Sequence, residues 1–406
     1  MASSNDDTGT TGRPGGFMEI LAIFARLGTM SFGGPIAHLG YFREEFVNRR
    51  RWISDAGFAD LVALGQILPG PASSQVGFSL GLLRGGLAGG FAAWLGFTLP
   101  SALILIAFAY GAASFTQPWQ VGLLHGFKLV AVAIVAHAIW GMARSLAWDR
   151  RLIAITIGAA ALALVLEGSW SQIFVIGLGA VAGFLMMRRA EAVPALHAAM
   201  PVSRKAGAAT LVAFLLLMLV LPLLAAATGW QALRLVAEFY RAGALVFGGG
   251  HVVLPLLRDV VVGTGWVSAD AFVTGYGVTQ AMPGPIFTFA AYLGAASGPV
   301  PHGVVGGLIA LVAIFLPGLL LMHGVLPFWN GMRGLAGAQA ALRGVNAAVV
   351  GLLAAAFYQP LWTSTITSTE DVLLAAVGFA LLLMWRMPPW VVVLAIGAAG
   401  VLRAMI

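Results

Sequence analysis

The chain has 406 residues, of which 60% are hydrophobic and 9% are charged, and its formal net charge is +7. Because soluble domains carry about a quarter charged residues, this composition excludes a cytosolic enzyme and a soluble nucleic-acid-binding protein. The chain contains no cysteine, which excludes disulfides, thiolate metal sites and cysteine nucleophiles. The excess of positive charge is typical of cytoplasmic loops of membrane proteins and of cations that hold an anionic ligand.

Residues 1–16 are polar and lack the apolar core and cleavage site of a signal peptide, so we expect a short disordered tail. Apolar runs then follow one another to the carboxyl terminus. A bilayer core of about 30 Å needs roughly 20 apolar residues in a helix, and the runs predict thirteen transmembrane helices. Their approximate positions are 18–38, 57–80, 86–112, 119–143, 151–167, 170–187, 207–227, 233–253, 270–296, 302–325, 334–358, 371–385 and 388–405.

A sequence repeat relates the two halves of the chain. It consists of two glycine motifs, two Gln-x-x-Pro-Gly-Pro motifs and single residues between them. The matched pairs, 214 or 215 residues apart, are Arg26 and Arg241, Phe32-Gly33-Gly34 and Phe247-Gly248-Gly249, Trp52 and Trp266, Ser54 and Ser268, Phe58 and Phe272, and the Gln-x-x-Pro-Gly-Pro segments 66–71 and 280–285. Because their order and spacing are kept throughout, we interpret the halves as copies of one unit.

The repeat predicts the topology. The first span of the opening copy corresponds to the eighth span of the chain, and this odd shift inverts the second copy. The prediction is an all-α polytopic membrane protein with about 13 transmembrane helices in an inverted 6+1+6 repeat with broken helices, as in many secondary transporters. The predicted segments are a tail at 1–16, an N-terminal repeat at 17–190, a cytoplasmic loop and linker helix at 191–230, and a C-terminal inverted repeat at 231–406.

The distribution of cations predicts the orientation. An amino terminus inside the cell places twelve loop cations in the cytoplasm and six outside, as the positive-inside rule favours. The run Arg49-Arg50-Arg51 conflicts locally, because this count places it outside. The segment 41–52 around it has apolar residues at helical spacing and is predicted to be an interfacial helix. It serves either as a membrane anchor or as an electropositive vestibule that concentrates anions.

The paired Gln-x-x-Pro-Gly-Pro motifs predict helix breaks within the membrane, since proline lacks an amide donor and restricts the residue before it. A broken helix presents the amides and the positive end of its second half, which suits an anion; the alternative is a kink that serves packing alone. The predicted substrate-binding residues here are Gln66, Pro69, Gly70, Pro71, Ser73 and Ser74, their counterparts Gln280, Pro283, Gly284, Pro285 and Thr288, and the glycine breaks Gly33, Gly34, Gly248 and Gly249.

Two arginines complete the predicted substrate site. Arg26 and Arg241 occupy equivalent positions in the first span of each repeat. An arginine at membrane depth is costly unless it faces water or a partner, and its planar fork matches the oxygens of an oxyanion. The alternative is an arginine that extends to the membrane boundary or pairs with a carboxylate such as Glu19 or Glu238.

Five further residues are predicted accessories. Lys128 and Arg343 either help to hold an anion or neutralise a carboxylate. Asp60 either pins an arginine or carries a coupling proton. His38 and His251 directly follow the glycine breaks and either pack there or act in a proton-linked step. The histidines form no spaced metal motif, so no metal and no cofactor is expected.

Several long motifs resemble the chromate ion transporter (CHR) family in its long-chain, two-domain form. They are Ser31-Phe-Gly-Gly-Pro-Ile-Ala-His38, Gln66-Ile-Leu-Pro-Gly-Pro-Ala-Ser-Ser-Gln-Val-Gly77, Phe247-Gly-Gly-Gly-His-Val-Val-Leu-Pro255 and Gln280-Ala-Met-Pro-Gly-Pro285. The resemblance covers essentially the whole chain. It implies a multi-pass protein of the bacterial plasma membrane that exports chromate and confers chromate resistance, and it implies that the Arg, Gln and Pro-Gly-Pro positions matter for transport.

Other functions remain open at this point. A sulfate or molybdate uptake transporter would use the same kind of site, because sulfate and chromate are tetrahedral dianions of similar size. A passive anion channel and a polytopic membrane enzyme are the alternatives from other classes, and an enzyme would need a nucleophile or metal cluster that the sequence does not display. The expected partners are chromate or a related dianion, the lipid bilayer and a second copy in a homodimer, with no nucleic acid.

Overall fold

A computed structural model describes residues 15–112, 115–145, 149–166, 171–187, 201–298, 301–329 and 336–406. All regular elements in these ranges are helical, as the sequence predicts. Most of the predicted tail at 1–16, and residues 191–200 of the predicted loop and linker helix at 191–230, lie outside the described residues.

Sixteen helices of eight or more residues occur in the described ranges. They are α1 (Phe17–Met30), α2 (Gly34–Phe42), α3 (Asp55–Ile67), α4 (Ala72–Ala112), α5 (Pro118–Ser145), α6 (Arg150–Val165), α7 (Ser171–Met186), α8 (Arg204–Thr228), α9 (Gln231–Ala244), α10 (Val253–Val261), α11 (Ala269–Thr279), α12 (Phe289–Ala296), α13 (Gly303–Val325), α14 (Ala336–Ala356), α15 (Thr369–Leu383) and α16 (Pro389–Met405).

Five helical segments are long and apolar enough to cross a membrane. They are Ala72–Ala112, Pro118–Arg144, Arg204–Thr228, Gly303–Phe328 and Ala336–Thr365. Helix α8 exposes a row of leucines that includes Leu215, Leu219 and Leu223. Such a surface is stable only in an apolar solvent, so the chain is a membrane protein and α8 lies at its lipid-facing edge.

Helices α1 and α2 form a hairpin instead of a single span. Helix α1 has 14 residues, or about 21 Å at 1.5 Å per residue. The chain then turns through Gly33 and Gly34, which have φ values of +104° and +76°. Helix α2 runs back along α1, so that the ring of Phe24 contacts the ring of Phe42 at 5.6 Å. The segment 17–42 therefore returns to the end at which it starts.

Helix α3 and the first arm of α4 form a second hairpin around Pro69-Gly70-Pro71. The two arms of α4 meet at Gly85 and Gly86, which have non-helical backbone angles. At this turn the carbonyl of Arg84 accepts a 3.0 Å hydrogen bond from the amide of Gly15, and the Arg84 guanidinium lies 5.5 Å from the centre of the Trp52 ring. Both hairpins of the first repeat therefore open at the same end of the protein.

The second repeat builds its hairpins in the same way. Helices α9 and α10 flank the second glycine motif, and α11 and α12 flank the second Pro-Gly-Pro. Tyr292 of α12 donates a 3.0 Å hydrogen bond to the carbonyl of Ala271 in α11, and the amide of Gly298 donates to the carbonyl of Trp266 at 2.9 Å. The open ends of this pair also lie together, beside the start of α13.

Helix α4 connects the open ends of the two pairs. Its second arm begins at Leu87, next to the open end of the first pair. It ends near Tyr110, whose hydroxyl accepts a 3.1 Å hydrogen bond from the amide of Val304 at the start of α13. The first pair of hairpins thus opens at one end of this helix and the second pair at the other.

The structure divides four of the thirteen predicted spans into helical hairpins. These are the segments 18–38, 57–80, 233–253 and 270–296. Each contains glycine at positive φ, and two of them also contain a Pro-Gly-Pro. The predicted helix breaks are confirmed, but the breaks reverse the chain, which the length of an apolar run does not reveal.

The remaining helices of the two repeats interlock. Helix α5 of the first repeat packs against α15 and α16 of the second, and α14 of the second repeat packs against α6 and α7 of the first. Glycines allow both contacts to be close, with Gly122 against Gly400 in one and Gly183 against Gly344 in the other. Each repeat therefore buries a helix of the other.

Candidate functional site

The tips of the four hairpins meet in reciprocal pairs at the centre of the protein. The amide of Gly70, in the first Pro-Gly-Pro, donates a 2.8 Å hydrogen bond to the carbonyl of Val246. The amide of Gly284, in the second Pro-Gly-Pro, donates a 2.8 Å hydrogen bond to the carbonyl of Ser31. Val246 and Ser31 are equivalent residues just before the two glycine motifs. Each Pro-Gly-Pro is therefore joined to the glycine motif of the other repeat.

The sequence of each tip explains this geometry. Gly70 has a φ of +120° and Gly284 a φ of +89°, a region that disfavours residues with a Cβ. A Cβ on Gly70 would lie 3.0 Å from Cα of Gly318, and a Cβ on Gly284 would lie 2.9 Å from Oγ of Ser101. Glycine is thus required at each tip for two reasons. One is the backbone conformation, and the other is the close packing against a proline-containing helix of the other repeat.

Side chains reinforce both crossings. Gln75 donates through Nε2 to the carbonyls of Pro69, at 2.9 Å, and Gly318, at 3.0 Å. At the other crossing the hydroxyl of Ser101 donates to the carbonyl of Pro283. These side-chain hydrogen bonds therefore hold both Pro-Gly-Pro turns in place, that of Pro69 and Pro71 and that of Pro283 and Pro285.

The amides of Gly70 and Gly284 are occupied by these inter-repeat bonds, so they do not face a ligand. The donors that remain in the first repeat belong to the start of α4. Its first intrahelical bond runs from the amide of Gln75 to the carbonyl of Pro71. The amides of Ala72, Ser73 and Ser74 precede it and have no acceptor within the helix, and they lie at the positive end of the helix dipole.

His38 connects this helix start to the glycine motif. Its Nε2 lies 3.1 Å from the carbonyl of Ser31, and its Nδ1 lies 3.2 Å from Oγ of Ser73. A carbonyl only accepts, so Nε2 carries the hydrogen, and in the neutral ring Nδ1 accepts from the Ser73 hydroxyl. The ring is 1% exposed and meets the Phe97 ring edge-on at 5.2 Å. The carbonyl of Ser31 thus receives two donors, one from each repeat.

Several polar atoms near this point are buried without a partner. Within the described residues, Oγ of Ser31, Oγ of Ser74, Oε1 of Gln75 and Oγ1 of Thr98 make no hydrogen bond. Buried polar groups in proteins are nearly always paired. The sequence did not predict Ser31, Gln75 and Thr98 as site residues, and a position-by-position comparison of the two repeats is the signal that would have found them.

Arg26 lies away from the tips. It is exposed, and among the described residues its guanidinium makes no ion pair. It lines an open groove of about 330 Å³ together with Tyr41, Glu44, Glu45 and Arg50. The structure therefore places this arginine in a charged groove between α1 and the segment that follows α2.

Arg241, the counterpart of Arg26, forms an ion pair with Glu238, one turn earlier on α9. Pairing with a carboxylate such as Glu238 was the alternative to anion binding that the sequence left open for Arg241. Both side chains are mostly buried, with 12% and 23% exposed. The positive charge of Arg241 also acts on Asp259 of α10. In both repeats the arginine of the first helix therefore lies near carboxylates that follow the glycine motif.

The other predicted residues are distributed over the protein. Lys128 pairs with Asp270 at 2.5 Å, and Nδ1 of His251 lies 2.7 Å from the hydroxyl of Tyr276. Gln66 is exposed, whereas Nε2 of Gln280 is buried without a partner in the described part of the chain. The hydroxyl of Thr288 donates to the carbonyl of Pro285 at 2.7 Å. Asp60 is buried, Arg343 is half-buried, and both interact with neighbouring groups.

The interfacial segment after α2 contains ion pairs of its own. Glu45 accepts from Arg49 at 3.0 Å and from Arg50 at 2.6 Å. Partial burial acts to raise the pKa of Glu45, but the hydrogen bonds from Arg50 and Arg49 outweigh it and hold the pKa below its usual value. The hydrogen bond from Arg43 lowers the pKa of Asp55 in the same way.

Comparison with known proteins assigns the chain to a family. The family model described as chromate transporter matches residues 18–184 and again residues 233–401, which are the two repeats. A chromate transport protein from Pseudomonas aeruginosa is 30% identical over 398 residues, which is 95% of this chain and 92% of the relative. One from Cupriavidus metallidurans is 28% identical over 91% of this chain and 88% of its own length. A probable chromate transport protein from Synechococcus elongatus is 28% identical over 83% of each chain. No solved structure matches.

Proposed function

The chain belongs to the chromate transporter family, and we propose that it is a secondary transporter that exports chromate across the bacterial plasma membrane and thereby confers chromate resistance. The observation that carries this proposal is the match of both repeats to the family, together with relatives named chromate transport proteins over nearly the full length. The membrane-spanning helices and the paired tips agree with a transporter whose site lies between two repeats.

The proposed topology is an inverted repeat with two re-entrant hairpins in each half. Five helical segments, the second arm of α4 and helices α5 to α8, separate the first pair of hairpins from the second. If each crosses the membrane once, the odd number inverts the second repeat. The interlocking of α5 and α14 with the last two helices of the opposite repeat supports this two-fold relationship.

The proposed orientation has the amino terminus in the cytoplasm. Tracing the chain through its crossing helices and hairpins assigns each described cation in a loop or at a helix end to one of the two ends of the protein. The two ends receive unequal numbers. Eleven lie at the end where the first pair of hairpins opens, Arg43, Arg49, Arg50, Arg51, Arg84, Arg144, Arg150, Arg151, Arg204, Lys205 and Arg386, and three at the opposite end, Arg234, Arg258 and Arg403. This asymmetry supports a cytoplasmic position for the first end.

The re-entrant hairpins also remove the conflict over the run at 49–51. With α1 and α2 as a crossing span, that loop lies opposite the amino terminus. With α1 and α2 as a hairpin, it lies on the same side, so the strongest local cluster of arginines agrees with the rest of the chain.

The site residues of the proposal are the two arginines and the hairpin tips. Ser73, Ser74 and the free amides at the start of α4 offer donors to an oxyanion. Arg26 and Arg241 offer charge along the route to it, because both stand on the helices that lead to the glycine motifs. Gly70 and Gly284 hold the tips in place, and contact with the anion is left to the residues that follow them.

The test is radiolabelled chromate flux into inside-out membrane vesicles. We expect uptake into these vesicles that stops when the driving gradient is removed, with the pH gradient and the membrane potential collapsed separately and with vesicles lacking the protein as the control. Flux that survives the loss of both gradients would indicate a passive channel. Flux confined to right-side-out vesicles and abolished by equimolar sulfate would indicate a sulfate-type uptake transporter instead.

A further inference from the structure

The two repeats share a backbone arrangement at their tips, but the side chains buried there differ in polarity. In the first repeat the buried residues include Ser31, His38, Ser73, Gln75 and Thr98, each 2% exposed or less. Their counterparts are Val246 and Val253, 215 residues later, Phe287 and Phe289, 214 residues later, and Phe315, which corresponds to Thr98 when Pro317 is aligned with Pro100. All five are at 0%. Of the first four residues after each Pro-Gly-Pro, Ser74 alone is a polar residue with a polar counterpart, Thr288. At the five positions compared, the first repeat is thus polar and the second apolar.

This difference shows that the fold itself does not need the polar groups. Burying a hydroxyl or amide without a partner costs free energy, and the hydroxyls of Ser31, Ser74 and Thr98 are in that state among the described residues. The second repeat forms the same hairpins and the same inter-repeat bond with Val246 in place of Ser31 and Phe315 in place of Thr98. The hydroxyls of Ser31 and Thr98 therefore cost stability, and the second repeat shows that folding does not need them. They require another role.

The polar residues also surround the helix terminus that has free donors. Ser73 and Ser74 belong to the first turn of α4, whose amides have no intrahelical acceptor. His38 joins Ser73 to Ser31. Thr98 lies on the same helix face as Ser101, one turn before it, and the Ser101 hydroxyl donates to the carbonyl of Pro283. Hydroxyls, amides and an imidazole next to the positive end of a helix form a group suited to an anion.

In the second repeat the corresponding helix start has fewer polar side chains. The break is followed by a single turn of 3-10 helix at Ile286–Thr288, in which two of the three side chains are apolar. The remaining hydroxyl, that of Thr288, is used by the carbonyl of Pro285. The duplicated break therefore lacks the polar surroundings of the first.

We propose that the protein binds one tetrahedral oxyanion per chain, in the first repeat alone, in a polar pocket formed by Ser31, His38, Ser73, Ser74, Gln75 and Thr98. The inference rests on the proposed function and assigns its substrate site to one of the two breaks. The second Pro-Gly-Pro serves as the closing element, because the amide of Gly284 bonds to the carbonyl of Ser31 at the edge of this pocket. The ligand chemistry is shared by chromate and sulfate, and the test separates the two.

The pocket is closed in the observed conformation. All six residues are 2% exposed or less, so an anion enters only when a tip moves. Ser31 accepts from Gly284 of one repeat and from His38 of the other through the same carbonyl. Separation of the second Pro-Gly-Pro from Ser31 would open the pocket while the bonds of His38 within the first repeat stay in place.

The first measurement is the stoichiometry of anion binding to the purified full-length protein in detergent. Equilibrium dialysis with radiolabelled chromate, and in a separate arm with radiolabelled sulfate, counts the anions bound per chain. We expect one site per chain for chromate, and the sulfate arm shows which dianion binds more tightly. Two equivalent sites per chain would overturn the inference, since both breaks would then bind.

The second measurement uses variants that remove only a hydroxyl. Ser74→Ala and Thr98→Val should weaken chromate binding at least tenfold while the unliganded melting temperature stays equal to or above that of the unmodified protein, because each hydroxyl lacks a partner. Thr365→Val is the matched control, as the Thr365 hydroxyl is also buried and unpartnered among the described residues but belongs to a different part of the chain. It should leave binding unchanged.

The outcomes distinguish a failure of this inference from a failure of the proposed transport function on which it rests. Wild-type binding that Ser74→Ala and Thr98→Val leave unchanged, or that Thr365→Val weakens equally, would overturn the pocket and leave chromate transport standing. An unmodified protein that binds neither chromate nor sulfate would overturn the proposed function and this inference with it.

Discussion

Gly70 donates its amide hydrogen to the carbonyl of Val246, and the equivalent Gly284 donates to the carbonyl of Ser31, both at 2.8 Å. Each bond joins the Pro-Gly-Pro break of one repeat to the glycine motif of the other. The hairpins are short, with arms of 8 to 14 residues, and their tips would end in unsatisfied backbone groups without this exchange. Each repeat therefore needs a carbonyl of the other repeat to satisfy the glycine amide at its Pro-Gly-Pro tip.

The first prediction concerns these glycines. Gly70→Ala and Gly284→Ala should each lower the melting temperature strongly, because a Cβ forces a positive φ on a non-glycine residue, at about 1–3 kcal/mol, and also meets Gly318 or Ser101. Gly229→Ala is the control. Gly229 has a φ of +64° at the end of α8, but a Cβ there meets nothing within 4 Å, so its cost is limited to the left-handed backbone, about 1–2 kcal/mol.

Thermal unfolding of the detergent-solubilised variants measures the difference. The reciprocal bonds would lose their structural importance if Gly70→Ala and Gly284→Ala unfolded at the same temperature as Gly229→Ala. Chromate flux provides a second readout, since distorted tips should also reduce transport.

The sequence predicts the breaks but not the direction that the chain takes after them. Residues 18–38 look like one apolar span because a helix of 21 residues and a hairpin with arms of 14 and 9 residues have the same composition. The positive φ of Gly33 and Gly34, which decides between them, depends on the packing of Phe24 against Phe42. Periodicity and length contain no information about that contact.

Partners close in sequence were predictable and distant ones were not. Glu238 was foreseen as a partner of Arg241 because it lies three residues earlier on the same helix. Lys128 and Asp270 are 142 residues apart, and only the folded structure brings them together. The same holds for the bond between Gly284 and Ser31, since the repeat identifies equivalent residues but does not say which pairs touch.

The second prediction separates stability from transport at Arg241. Arg241→Gln should lower the melting temperature, since it removes the charge partner that Arg241 provides for the mostly buried carboxylate of Glu238, at a cost of about 1–3 kcal/mol. The double variant Glu238→Gln, Arg241→Gln should recover that stability. If Arg241 also acts on the anion, the double variant stays inactive in chromate flux; recovered flux would show that Arg241 serves only the ion pair.

The third prediction concerns Arg26, which forms no ion pair among the described residues. Arg26→Gln should leave the melting temperature unchanged and reduce chromate flux, because a charge-assisted contact with an oxyanion contributes about 1.5–3 kcal/mol. Arg26→Lys should restore flux only in part, since lysine keeps the charge but lacks the planar fork. Normal flux in Arg26→Gln would remove this arginine from the transport route.

The fourth prediction follows from the lowered pKa of Glu45. A carboxyl whose pKa is depressed by folding contributes stability above its unfolded pKa, about 4.3, and loses it as the pH falls through the folded value. The segment at 43–50 should therefore stay ordered at neutral pH and loosen in acid below about pH 4. Hydrogen exchange of this segment, compared between pH 7 and pH 3, measures the change.

Glu45→Gln should weaken the pH dependence, leaving only the part that comes from Asp55 with Arg43, and should loosen the segment already at neutral pH. Glu44→Gln is the control, because it leaves the contacts of Glu45 with Arg49 and Arg50 in place. Equal pH dependence in Glu45→Gln and the unmodified protein would assign the transition to another group, such as Asp55 with Arg43.

The fifth prediction distinguishes re-entrant hairpins from crossing spans. The chain has no cysteine, so single cysteines in place of Asn48, Lys205 and Thr264 can be labelled individually from either side of sealed vesicles. If α1 with α2 is a hairpin, residue 48 and residue 205 are labelled from the same side and residue 264 from the other. If 18–38 is instead one crossing helix, as the length of the apolar run suggests, residue 48 lies opposite residue 205. Labelling of residues 48 and 264 from one side would contradict the inverted arrangement itself, because the interfacial loops of the two repeats, which follow their glycine motifs, would then share a face.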